Sequence, residues 1–336
     1  MGIIVWAVVL LASLWVLVKA ADHFTDYAEK FGKFLKLPNF IIGVLILAIG
    51  TSLPELVTSI MGVRQGDTEF LSGNVLGTVI VNMLLGLGIA VLFTKRKAIF
   101  NWNIIDNDLP FFAASIFLVS IALMDGKFST VEAVLFLAGY IVYVIYAYFV
   151  QRSDTPSAKK ELKKQLKKEI STDIEQAKTG AWLKKIFTHE FKTLLYMLLA
   201  LGVVVVASHY VVEAVMNLAL LLGLGTSILA ATAVALGTSL PEILVAVSAA
   251  RRGNFDMVMG DILGSNIFDI FVIYGVTGLF TTLTITTTLY SILIPFLIGT
   301  FFLLWLVLID KKITKMEAVM FLIIYVMFVG KLFGMF

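Results

Sequence analysis

The sequence predicts an all-α membrane protein, with ten transmembrane helices arranged as two inverted five-helix repeats. Three observations predict it. The 336 residues are 60% hydrophobic and only 15% charged, which is too apolar for a soluble globule of ordinary surface. Ten apolar runs follow one another along the chain, near the 17–25 residues that fill a hydrocarbon core about 30 Å thick. The six residues GTSLPE occur twice, at 50–55 and again at 237–242.

The first run, 3–18, has no Lys or Arg before Lys19. It therefore lacks the basic start of a cleavable signal and is expected to be the first span. The second run, 39–63, carries the first GTSLPE copy, and the third, 72–94, carries GNVLGT at 73–78 and then Asn82. Runs at 109–124 and 131–150 complete a first five-helix unit, 1–150, whose motif-bearing stretch is 39–94. The polar stretch 151–192 holds 11 of the 26 Lys and Arg and is expected to be a cytoplasmic basic linker. Within it Leu162, Leu166, Ile170 and Ile174 would form one apolar stripe on a helix, either a solvated connector or a helix lying on anionic lipid. The second unit, 193–336, follows the same plan with runs at 193–217, 227–250, 260–281, 287–309 and 317–335. Its motif-bearing stretch is 227–281, with the second GTSLPE, GDILGS at 260–265 and Asp269.

A shift of 187 positions maps Glu242 onto Glu55 and Asp269 onto Asn82 without a gap. Equivalent positions are five spans apart, an odd number, so the two copies must cross the bilayer in opposite directions. Inverted repeats of this kind place ion and substrate sites near the midplane. Charge supports the same topology. With both termini outside, 23 of the 26 Lys and Arg fall on the inner side, and only Arg64, Lys127 and Lys331 remain outside, as the positive-inside rule requires.

The chemistry-bearing residues are all oxygen donors. The chain has no cysteine and only three histidines, His23, His189 and His209, which excludes a disulfide framework or thiolate site and disfavours a soft metal. Glu55, Glu242 and Asp269 lie deep in apolar runs without a nearby Lys or Arg in sequence. Each would cost about 2.5–3.5 kcal/mol at the membrane centre, so each is either protonated or neutralised by a cation. Pro54 and Pro241 lack the amide hydrogen that would pair with the carbonyls of Gly50 and Gly237, and local unwinding at each motif is expected. Thr51, Ser52, Thr238 and Ser239 add hydroxyls beside those carbonyls. This set suits a hard cation, Ca2+ or Na+ before Mg2+, which holds its waters. Gly73 with Gly77, and Gly260 with Gly264, are small-residue pairs expected to let the helices pack closely. The pair His209 and Glu213, opposite Asp22 and Asp26 in the repeat, reads as an interfacial polar pair.

The two GTSLPE segments, each followed by a glycine-flanked GNVLGT or GDILGS segment, resemble the alpha repeats of the cation/calcium antiporter superfamily, most of all the prokaryotic sodium/calcium exchangers. The resemblance spans nearly the whole chain. It implies a central ion site of Glu55, Asn82, Glu242 and Asp269, flanked by ligands at Ala48, Thr51, Ser52, Thr78, Ala235, Thr238, Ser239 and Ser265. It further implies that spans 1 and 6 slide past the other helices. One departure stands out: the second copy reads GSNIFD, but the first reads GTVIVN, with Val79 and Val81 at the usual Asn and Phe positions. The expected function is export of Ca2+ against entering Na+ by alternating access, favoured by the acid at Asp269; a Ca2+/H+ antiporter on the same scaffold is the alternative. An enzyme is not expected: no supported triad or paired catalytic aspartates are visible. No cofactor is expected beside the transported ions Ca2+ and Na+, and the partners are those ions and the lipid bilayer, with no nucleic acid. The protein is expected to act as a monomer in the prokaryotic plasma (inner) membrane, multi-pass, with both termini outside.

Overall fold

In the computed structural model the described residues are 2–35, 37–64, 68–94, 98–100, 104, 108–153, 181–221 and 239–332. Among them ten helices longer than ten residues follow in order. They are α1 (Gly2–Phe34), α2 (Asn39–Arg64), α3 (68–93), α4 (Leu109–Ala122) and α5 (Thr130–Ser153). The second set is α6 (Ala181–Leu221), α7 (Leu240–Arg251), α8 (Phe255–Gly278), α9 (Thr287–Leu308) and α10 (Lys315–Leu332). Seven of these are long and apolar enough to cross a membrane by length and composition, among the described residues. The other three are α4, with 14 residues, α10, which carries Lys315, Glu317 and Lys331, and α7, whose preceding residues 222–238 lie outside the described set.

Two helices outrun their apolar spans. α1 continues through the stretch expected as an inner connection and ends only at Phe34. The reason is a stripe of small and apolar residues, including Ala21, Phe24, Ala28 and Gly32, that stays buried well past Lys19. α6 likewise begins at Ala181, inside the expected linker. The apolar stripe of Leu162 to Ile174 lies outside the described residues.

Three helices change pitch midway. α2 is π-helical over Ile42–Leu47, α3 over Asn82–Gly86 and α8 over Asp269–Ile273. The last two segments start at equivalent residues and have equal length, 187 positions apart. A π-helical turn carries an extra residue, which rotates the side chains after it and often marks a functional site. Here it starts on the polar residue itself in both halves.

Four two-residue strands tie the halves together. β1 (Ala98–Ile99) pairs antiparallel with β4 (Lys312–Ile313), and β2 (Lys127–Phe128) pairs antiparallel with β3 (Leu283–Thr284). Each pair joins a connection of the first half to one of the second. The helices after β2 and β4 open with the same capping box. The amide of Ser129 donates to Glu132 Oε2 at 2.6 Å, and the amide of Thr314 donates to Glu317 Oε2 at 2.6 Å.

Burial separates a core from a periphery. The apolar window of α8 is 94% buried and that of α3 is 83% buried, against 17% for α1 and 22% for α5. α8 is the central helix, and α2 lies directly on it. A Cβ built on Gly264 would stand 2.8 Å from the Val44 Cα and 2.9 Å from the Ala48 Cβ, and one on Gly260 would strike the Phe40 carbonyl. The glycine pair of α8 therefore packs closely, as expected. For Gly73 and Gly77 no such crossing is seen among the described residues, because the repeat would set them against 227–235, outside that set.

Candidate functional site

The two motif segments meet in the interior. Thr51, Ser52 and Glu55 are buried on α2, Thr78 and Asn82 on α3, Ser239 and Glu242 at the start of α7, and Ser265 and Asp269 on α8. Ala48 is buried one turn before Thr51, against Gly264. Ala235 and Thr238 lie outside the described residues.

The helix through the first motif is not unwound as expected. α2 runs unbroken across Gly50 and Pro54, and its irregularity sits one turn earlier, in the π-helical segment. Position 54 still offers no hydrogen to the Gly50 carbonyl, yet the helix continues through it, with Phe24 and Leu201 standing where a side chain at Gly50 would point. At the second copy the described helix begins within the motif: Ser239 holds the N-cap position of α7 and Pro241 lies in its first turn, where a missing amide hydrogen costs nothing.

The carboxylates define the centre. Glu55 is 1% exposed, Glu242 3% and Asp269 0%, and none of their six oxygens has a hydrogen-bond partner among the described residues. Glu55 lies in the field of Asp269, and Glu242 in that of Glu55, Asp269 and Asp261. The Ser52 hydroxyl faces Asp269, without a hydrogen bond of normal geometry. No salt bridge among the described residues reaches any of the three. Nor do three acidic or histidine side chains converge there on one point as a ready-made metal cluster. A cation at the centre would depend on neutral oxygens as well as on the acids.

Those oxygens are disposed to accept. Thr51 Oγ1 donates its hydrogen to the Leu47 carbonyl at 3.1 Å, and Ser265 Oγ donates to the Asp261 carbonyl at 2.7 Å. A hydroxyl that spends its hydrogen on its own helix presents only lone pairs to the cavity. Thr78 Oγ1 is buried with no partner among the described residues. Asn82 donates its Nδ2 to Asn266 Oδ1 at 3.3 Å, and its own Oδ1 has no partner among the described residues.

Three residues around the centre went unnoticed in the sequence. Asn266 orients Asn82 and stands, in the repeat, where Val79 stands in the first half. Asp261 is fully buried with both oxygens unpartnered among the described residues, and its repeat counterpart is Asn74. Both lay inside the quoted GDILGS and GSNIFD segments, so the 187-position comparison alone would have found them. Tyr140 on α5 lies near Asp269 and packs its ring on Phe268 at 5.6 Å; nothing in the sequence marks it. His209 is exposed and Glu213 half-buried on α6, apart from the acids of the centre.

Comparison with known proteins settles the family. The pattern described as "Sodium/calcium exchanger protein" matches residues 5–149 and 192–334. The chain belongs to the sodium/calcium exchanger family. This exchanger is 31% identical to the sodium/calcium exchanger MaX1 of Methanosarcina acetivorans, over 97% of each chain. It is 28% identical to the inner membrane protein YrbG of Escherichia coli, over 84% of this chain and 82% of that one. Its fold matches the solved structure of the sodium-calcium exchanger NCX_Mj soaked with 10 mM Na+ and zero Ca2+, with a TM-score of 0.76 and 26% identity over 98% of this chain and 99% of that one. It is thus an all-helical, multi-pass membrane transporter of an antiporter family rather than an enzyme.

Proposed function

We propose that this exchanger exports Ca2+ in exchange for Na+ entering down its gradient. One observation carries the reading: Glu55, Glu242 and Asp269, from both halves, are buried in one another's field without a hydrogen bond or basic partner among the described residues. Held ionised and unpaired, they would cost roughly 8–10 kcal/mol if additive. Either one Ca2+ or several Na+ would offset that cost on the same oxygens, with Asn82, Thr51, Ser52, Thr78, Ser239 and Ser265 completing the coordination beside Ala48, Ala235 and Thr238. Competition for shared oxygens makes the transport an exchange. An occupied, neutralised site would permit α1 and α6 to slide, and an empty, charged one would resist. α1 packs chiefly on α6, and the apolar windows of the two are only 17% and 33% buried, which fits a two-helix unit moving over a fixed core. The transport cycle needs no resident cofactor and is complete in a monomer.

The proposed topology has ten spans in two inverted units, 1–150 and 193–336, joined by the cytoplasmic linker 151–192, in a prokaryotic plasma membrane with both termini outside. Contacts between the halves support it. The β1–β4 pair and the Arg252–Asp26 ion pair each join connections assigned to the inner side. The β2–β3 pair joins two assigned to the outer side. Because the chain has no cysteine, Asp125→Cys and Asp310→Cys should be labelled by an impermeant maleimide from opposite faces.

The unpartnered carboxylates would serve equally if protons took the place of Na+, and one assay separates the two readings. Proteoliposomes loaded with Na+, with choline, or with only an outward H+ gradient are given external ⁴⁵Ca2+. Uptake confined to Na+-loaded vesicles is expected; equal uptake driven by H+ alone would replace Na+ with H+. Glu55→Gln and Glu242→Gln should each abolish uptake while keeping a monodisperse fold. Near-normal flux in either variant would sink the site assignment.

A further inference from the structure

Asp261 is a buried carboxylate that the central site does not use. It is 0% exposed, and among the described residues neither oxygen has a hydrogen-bond partner and no salt bridge reaches it. A carboxylate in that state costs several kcal/mol unless a cation or proton compensates it. Its place on α8 is informative. Asp261, Ser265 and Asp269 stand four residues apart on one helical face, so Asp261 lies about 12 Å along the axis from Asp269. An ion with oxygen ligands at about 2.4 Å cannot bridge that separation, so the ion held at Asp269 does not serve Asp261. Between them Ser265 gives its hydrogen to the Asp261 backbone and presents lone pairs. From α7, Glu242, 3% exposed and with both oxygens unpartnered, lies in the field of Asp261. The first half has no such feature: its corresponding stripe is Asn74, Thr78 and Asn82, with uncharged amides at both ends.

We propose that Asp261 is an additional cation ligand, which binds a Na+ of its own at a position on α8 distinct from the ion held at Asp269. A second divalent ion there would face the full charge of the first across about 12 Å of buried protein, whereas a monovalent ion is repelled half as much. The proposal rests on the exchanger reading above and adds one monovalent ion to the Na+-loaded state.

The test counts ions on the purified, full-length protein, so it does not depend on transport. Equilibrium binding of ²²Na+ to Asp261→Asn, the residue that the first half holds at Asn74, should fall by one ion per protein. Saturating ⁴⁵Ca2+ binding should keep its stoichiometry, and Asp261→Glu should restore the lost Na+. An unchanged Na+ count in Asp261→Asn overturns the proposal, as does loss of a Ca2+ rather than a Na+. If the variant does not fold, wild-type crystals soaked with Tl+ decide: anomalous density at the Asp261 carboxylate supports the assignment and its absence there overturns it. Wild-type protein that binds no Na+ at all would instead remove the Na+-coupled reading on which the inference rests.

Discussion

Asn82 donates its side-chain amide to Asn266 Oδ1 at 3.3 Å, across the boundary between the two halves of the chain. The bond has a direction, and the direction matters. It commits the Asn82 nitrogen to the scaffold and leaves Asn82 Oδ1, buried and unpartnered, as an acceptor for a cation. Asn266→Val would leave the Asn82 amide free to rotate and to turn a donor toward the ion. A buried hydrogen bond of this kind contributes about 0.5–1.5 kcal/mol, and 1.4 kcal/mol is about tenfold in an equilibrium constant. The Ca2+ concentration for half-maximal exchange should therefore rise about three- to tenfold in Asn266→Val, with a loss of stability of about 1–3 kcal/mol from the unsatisfied Asn82 donor; an unchanged half-saturation would show that Asn266 does not orient the ligand.

The reciprocal bond is missing because Val79 occupies the position equivalent to Asn266. An amide at 79 would find Asp269 where Asn266 finds Asn82. Val79 is 0% exposed and offers no donor, so Asp269 keeps its lone pairs for cations. Val79→Asn should supply a charge-assisted hydrogen bond to Asp269 and compete with the ion for it, which weakens cation binding at that carboxylate. The expected result is a several-fold rise in the half-saturating concentration of Na+, read from the Na+ dependence of ⁴⁵Ca2+ exchange. A fall would mean that the amide adds a ligand instead of occupying one.

How far the sequence reaches is visible in these same residues. The apolar runs gave the helices, and the GTSLPE repeat gave Glu55 and Glu242, because buried charge in an apolar span has few explanations. The repeat comparison also contains Asn266 and Asp261, opposite Val79 and Asn74, but only the fold places both in the interior beside the centre. Other features could not be read there at all. The π-helical turns at Asn82 and Asp269 follow from no residue with a distinctive helical propensity. The helix runs unbroken through Pro54, against the local preference of proline to end a helix. The length of α1 likewise depends on what its polar half packs against, and hydropathy alone ends the span near Lys19.

The crossing of α2 over α8 fixes the depth of the acids. A Cβ on Gly264 would come within 2.9 Å of both the Val44 Cα and the Ala48 Cβ, so a side chain there must push the helices apart. Gly264→Val should cost about 1–3 kcal/mol by overpacking and reduce Ca2+ binding as Ala48 and Ser265 separate. Gly299 provides the control, since a Cβ there meets nothing within 4 Å and Ala is the better helix former. Gly299→Ala should match or exceed wild type in the thermal stability of the detergent-solubilised protein. A Gly264→Val variant as stable as wild type would show that the crossing is looser than its geometry implies.

Arg252, in the turn between α7 and α8, clamps α1 at two points. Its Nη1 donates to Asp26 Oδ1 at 2.9 Å and its Nη2 donates to the Asp22 carbonyl at 2.7 Å. Both charged side chains are 32% exposed, so the ion pair is partly screened and is worth no more than about 1 kcal/mol. That is small for stability but large for an equilibrium between two positions of α1, where 1 kcal/mol changes the ratio about fivefold. If α1 slides during exchange, the clamp must open in one of the two positions, and removing it shifts their populations. Arg252→Gln should therefore change the turnover of ⁴⁵Ca2+ exchange by up to about fivefold and leave equilibrium ⁴⁵Ca2+ binding stoichiometry intact. Asp26→Asn should give a smaller change in the same direction, because the Asp22 carbonyl bond survives it. The double variant decides whether the two act as one unit: an effect no larger than that of Arg252→Gln alone means that the clamp works through Asp26, whereas full additivity would mean that the two residues act independently.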